Sequence, residues 1–92
     1  MTRKKGYIFL EVGGAEDPKK ISSRIQEKFL EKKKDYSCTV VGKYNIVVEK
    51  FIDELTEIKD LLAKIRDDEK IKPLIIKATT FIGIQQGKEA SN

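Results

Sequence analysis

The spacing of apolar residues changes from two to about four and back again along this chain, and that alternation limits the fold more than any other feature. From Gly6 to Val12, Ile8, Leu10 and Val12 point one way and Tyr7, Phe9 and Glu11 the other, the period of a strand. Gly13-Gly14 breaks the run. Asp17 then supplies a carboxylate cap and Pro18 a ring pre-set for a first helical turn. Ile21, Ile25 and Phe29, with Leu30 beside the last, form one apolar stripe. That helix is expected to reach about Lys34, where cations suit the negative end of its dipole. Tyr36 to Val41 and Tyr44 to Phe51 read as two strands, with Gly42-Lys43 as a two-residue hairpin turn between them. Asp53 can cap a second helix carrying Leu55, Ile58, Leu61, Leu62 and Ile65. Three acids, Asp67, Asp68 and Glu69, fray its end, and Pro73 stops it. Leu74 to Ile84 is a last apolar strand.

Strand, helix, strand, strand, helix, strand without an internal linker predicts an α+β domain. The arrangement that accommodates it is the ferredoxin-like βαββαβ fold, a four-stranded antiparallel sheet with both helices on one face and the first and third strands central. The domain is expected over residues 6–84, between a basic N-terminal arm at 1–5 and a disordered tail at 85–92.

Composition narrows the function. The 92 residues make one small domain, and no apolar run approaches the roughly 20 residues that span a bilayer. There is no histidine and a single cysteine, Cys38. Zinc sites built on Cys and His, Ser-His and Cys-His catalysis, and an internal disulfide are therefore excluded, and a cytoplasmic setting is expected. Cys38 reads as a small hydrophobe inside a strand. Of the net charge of +4, Arg3, Lys4 and Lys5 supply three, while the Lys32-Lys33-Lys34 run is answered by Glu31 and Asp35. Gly13-Gly14 stands before a helix but beside Glu16 and Asp17, which would repel a phosphate. The carboxylates Asp53, Glu54, Glu57, Asp67, Asp68 and Glu69 are scattered, with no shielded pair to act as acid and base. The chain reads as a non-enzyme without a metal or other cofactor.

Two helices cover one face of a sheet, so the other should be polar in a monomer. Instead Tyr7, Phe9, Val47, Phe51, Ile75 and Phe81 are expected on it, which points to a homodimer with the two sheets face to face.

The stretch VVGKYNIVVE, followed by the helix FIDELTEIKDLLAKI and the threonine-containing strand KPLIIKATTFIGI, resembles the ligand-binding domain of Lrp/AsnC regulators, also called the RAM domain. The likeness runs from about Lys5 to Ile84. It implies a ferredoxin-like domain that dimerises through its sheet, assembles into larger rings and binds an amino acid or related effector in transcriptional or metabolic regulation. The positions matching the family's ligand site are Gly42, Lys43, Tyr44 and Asn45 in the hairpin and Thr79 and Thr80 in the last strand. Only five residues precede Gly6, so the resemblance implies a stand-alone domain without a helix-turn-helix DNA reader, one that can enter mixed assemblies with full-length Lrp/AsnC regulators. Lys43 and Asn45 replace acids common in the family, so an anionic or amide-bearing ligand is expected to suit the site, and Asn45→Asp to raise amino-acid affinity. Gly42 reads equally as a turn glycine and as a ligand lip. Two alternatives stand beside this reading. One is an RNA-binding module stacking bases on sheet aromatics, although the usual basic-Gly-aromatic motif is absent. The other is an oligomeric interaction domain without a ligand.

Overall fold

The computed structural model describes residues 3–85, and side chains for residues 4–83. Its elements are β1 (Arg3–Val12), α1 (Pro18–Phe29), β2 (Tyr36–Thr39), β3 (Ile46–Ile52), α2 (Thr56–Asp67), a 3-10 turn at Lys72–Leu74, and β4 (Ile75–Gln85). All strand pairs are antiparallel and the order is β2-β3-β1-β4, so β1 and β3 are central. This α+β sheet with two helices is compatible with a ferredoxin-like fold. None of the described helices is long and apolar enough to cross a membrane.

Alternation in the central strands builds the core. Ile8, Leu10 and Val12 of β1 and Ile46 and Val48 of β3 are buried against Ile21 and Ile25 of α1 and Ile58, Leu61 and Ile65 of α2. Both helices therefore cover the same face, and the odd-numbered residues of β1 and β3 lie on the other. Gly6 lets α2 approach closely: a Cβ there would stand 2.7 Å from Ile58 Cδ1.

The helix ends depart from expectation for physical reasons. Asp17 caps α1, accepting from the Lys19 N–H at 2.9 Å. The helix stops at Phe29, short of Lys34, because Leu30 turns into the core and Asp35 folds back beneath the turn. The Asp35 carboxylate is buried and accepts from the Glu31 N–H, the Phe51 N–H and Lys50 Nζ. Asp35 thus faces inward and does not answer the lysine run. Helix α2 is capped by Glu57 reaching back to the Asp53 and Glu54 N–H groups at 2.7 and 2.6 Å, and Asp53 does not cap it. Those two N–H bonds hold the Glu57 carboxyl below its ordinary range.

Asp68 does not fray α2. Buried at its C-terminus, it accepts from Arg24 Nε and Nη2 at 2.9–3.1 Å and from Lys28 Nζ at 2.6 Å, and also caps the next turn through the Lys70 and Ile71 N–H groups. Arg24, and after it Lys28, hold this carboxyl well below the usual range, against the opposing effect of burial. Asp68 in turn raises the Arg24 pKa.

Strand β1 takes in part of the expected basic arm. Arg3 begins the strand, Lys4 Nζ donates to the Asp53 carbonyl, and Lys5 pairs with Glu49 at 2.6 Å. Gln85 ends β4, and the rest of the expected tail lies outside the described residues. At the far edge Gln26 of α1 places its amide beside β2. Its Oε1 accepts from the Ser37 N–H and its Nε2 donates to the Asp35 carbonyl.

Candidate functional site

The β2–β3 connection is wider than a two-residue turn. Thr39 pairs with Ile46, and the Val40 N–H donates to the Asn45 carbonyl at 3.0 Å, closing a loop over Val41, Gly42, Lys43 and Tyr44. Gly42 has φ +147°, a conformation that side-chain-bearing residues rarely adopt, while the space around it is open. Glycine is needed there for the backbone. Val41 beside it is fully exposed, as is most of Lys43.

Asn45 anchors this loop to β1. Its N–H donates to the Leu10 carbonyl, its Oδ1 accepts from the Val12 N–H, and its Nδ2 donates to the Val12 carbonyl, each at 2.9 Å. The amide takes the place of one more residue in the antiparallel ladder. Both ends of the side chain are engaged, so Asn45 is an anchor of the loop and not a polar lip facing a ligand. The expected gain in amino-acid affinity from Asn45→Asp therefore does not follow.

With the loop fixed, Tyr44 lies over the open sheet face. Its ring meets Phe9 edge-on, with centroids 5.8 Å apart, and its hydroxyl is 3.0 Å from the Thr79 hydroxyl. Phe9 in turn packs edge-on against Phe81 at 5.1 Å. Tyr44, Phe9, Thr79 and Phe81 form one cluster across three parts of the sequence. Thr80 is opposite Ile8, on the helix-covered face, and is separated from Thr79 by the thickness of the sheet.

The rest of the open face follows from register. Phe9 stands between Val47 and Thr79, and Tyr7 between Glu49 and Phe81. Lys5, opposite Phe51, places its ammonium 4.8 Å from the Phe51 ring centroid. Five of the expected dimer residues, Tyr7, Phe9, Val47, Phe51 and Phe81, share this face. Ile75 does not. A register shift between Glu11 and Val12 sets Ile75 opposite Val12, and it packs against the core, while Ile76 is 65% exposed. A bulge reverses the side on which residues fall, which alternation alone does not reveal. Cys38, expected to be packed, is exposed on the short edge strand opposite Val47. The pairing of Lys5 with Glu49 on the same face has no signal in the sequence, since their proximity depends on the β1–β3 register.

Chemically, the site offers two hydroxyls that can each donate or accept, flanked by aromatic rings. Among the described residues no group of three or more Cys, Asp or Glu is arranged to hold a metal ion.

No family model matches this sequence, and no curated protein matches it either. A crystal structure of a hypothetical protein from Pyrococcus horikoshii is similar to it, with a TM-score of 0.54 and 20% identity, over 90% of this chain and 92% of that one. At that identity the likeness concerns the fold alone.

Proposed function

We propose that this domain pairs with a second copy through its open sheet face and binds a small effector beside Tyr44 and Thr79, as an Lrp/AsnC-type regulatory module without catalytic activity. The observation that carries this reading is the continuous cluster of Tyr44, Phe9, Thr79 and Phe81 on a face that none of the described elements covers. Phe81 remains 52% exposed in the single chain, and burying that remaining half of the side chain against a partner is favourable by about 1 kcal/mol. The hydroxyl pair sits at the margin of that surface, so pairing would enclose a pocket in which an amide, carboxylate or ammonium could be bonded. Lys43 on the adjacent loop favours a carboxylate. An RNA surface on the same face is less well supported, because its Lys5 and Lys77 are met by Glu49 and Glu11, which leaves those four charges balanced.

Sedimentation equilibrium combined with thermal unfolding in the presence of single amino acids and their acidic and amide derivatives tests the proposal. The wild type should be a dimer, Phe81→Glu a folded monomer, and one compound should raise the wild-type midpoint. At about 100 times its Kd a ligand stabilises by roughly 2.7 kcal/mol, and Tyr44→Phe should remove that shift. A wild-type monomer would refute the pairing. A dimer insensitive to every compound would leave an interaction domain without an effector.

A further inference from the structure

Strand β4 ends the sheet with an open edge. It has eleven residues, Ile75–Gln85, and pairs with β1 along that length, while no described element lies along its other side. Every second residue of β4 therefore turns its N–H and C=O groups outward. Edge strands are usually kept short, or guarded by charge, proline or a bulge. The opposite edge, β2, has four residues. In β4 there is no proline, Lys77 is the only charged residue, and the register shift falls at its start, beside Val12. Large apolar side chains also stay exposed on both sides of the strand. Phe81, 52% exposed, lies on the open face, and Ile82, 36% exposed, stands opposite Gly6 on the helix-covered face.

We propose that β4 pairs antiparallel with β4 of a second copy, joining two sheets into one across a two-fold axis at Thr80. Two observations select this partner. A surface that meets both Phe81 and Ile82 must lie in the plane of the sheet, where an added strand fits. A sheet stacked on the open face reaches Phe81 alone. The order of residue sizes then selects β4 itself. Thr80 is the midpoint of the strand, so a copy turned about it sets Phe81 beside Thr79, Ile82 beside Ala78 and Lys77 beside Gly83, the second of each pair belonging to the copy. Each large side chain meets a small one, which is how cross-strand neighbours pack without crowding. The two Lys77 side chains fall six residues apart, about 20 Å, so like charges do not meet. This contact is separate from the sheet-face pairing proposed above and leaves that face open. Sheet-face pairs would then join in twos as concentration rises.

Ile82→Lys carries the test, because a sheet-face partner does not reach that side chain. At about 0.5 mM chain, enough to fill a contact with a micromolar Kd, sedimentation equilibrium should give the wild type twice the mass of Ile82→Lys. A change from four chains to two means that the sheet-face pairing holds as well, and a change from two to one that it does not. Circular dichroism establishes that the variant is folded. Should it fail to fold, Thr80→Cys in a Cys38→Ser background decides. Opposing Cα atoms of an antiparallel pair stand about 4.5–5.5 Å apart, within the span of a disulfide, so mild oxidation should link the chains two by two. Residue 80 lies opposite Ile8 on the helix-covered face, so stacked sheets do not bring the two thiols together. Equal masses for the wild type and a folded Ile82→Lys, or a Thr80→Cys chain left unlinked by oxidation, would overturn the proposal. That result is the one expected if the edge instead takes an extended segment of another protein.

Discussion

Replacing Asp68 by alanine removes a carboxylate that joins α1, the end of α2 and the turn leading to β4. Two kinds of bond disappear with it. The Lys70 N–H loses its side-chain acceptor and the Ile71 N–H one of its two, keeping the Asp68 carbonyl, a change comparable to deleting a helix cap, which costs about 1 kcal/mol. The charge-assisted bonds from Arg24 and Lys28 also go. Breaking a buried ion pair costs about 3–5 kcal/mol, and an exposed one about 0–1. Here the carboxylate is enclosed while its partners are 33% and 50% exposed, so a value between the two ranges applies, about 1–2 kcal/mol. Asp68→Ala should therefore lose about 2–3 kcal/mol in urea unfolding, and its thermal midpoint should fall by roughly 10–20 °C for a domain of this size. The pH dependence supplies a second reading. A carboxyl held below its unfolded pKa stabilises the fold fully above that value, about 3.9, and the contribution fades as pH falls toward the lower folded value. Between about pH 4 and 2 the wild type should lose stability more steeply than Asp68→Asn. A loss below about 0.5 kcal/mol in Asp68→Ala, with parallel acid profiles, would refute the reasoning.

Three further outcomes are expected. Asn45→Asp should destabilise by about 1–3 kcal/mol in urea unfolding, because the new oxygen faces the Val12 carbonyl where Nδ2 donated; unchanged stability would mean that the loop is not anchored there. Gly6→Ala should cost about 1–3 kcal/mol by the same assay, since its Cβ would press within 2.7–3.0 Å of three Ile58 side-chain atoms and Ile58 is enclosed; a neutral result would show that α2 moves aside freely. Under the proposed pairing, a partner sheet would shield Cys38, which should then react with a thiol reagent faster in Phe81→Glu than in the wild type; equal rates would move the interface off that face.

The order of elements was legible in the sequence because helix and strand impose different apolar periods, as Ile8, Leu10 and Val12 show against Ile21 and Ile25. The open-face aromatics Tyr7, Phe9 and Phe51 were legible for the same reason. What alternation could not supply was register. The Tyr44–Thr79 contact needs β3 and β4 to flank β1 at defined offsets, and Ile75 changes side at an irregularity that leaves no local mark. Polar partners were harder still. Asp68 and Arg24 are 44 positions apart, and each resembles an ordinary surface residue until the fold joins them. Asn45 reads as a ligand group in sequence because its neighbours suggest one, whereas its amide matches the geometry of a missing ladder residue.

The Gln26 amide beside β2 bears on how this protein could go wrong. It bonds to the Ser37 N–H and the Asp35 carbonyl as one residue of a neighbouring strand would. Among the described residues no side chain does the same along the outer edge of β4. A sheet with two free edges can add copies without end, but one sealed at one side can grow only from the other. Chains that meet edge to edge would then stop at a closed pair, and a single glutamine on a helix would stand between this fold and a fibre.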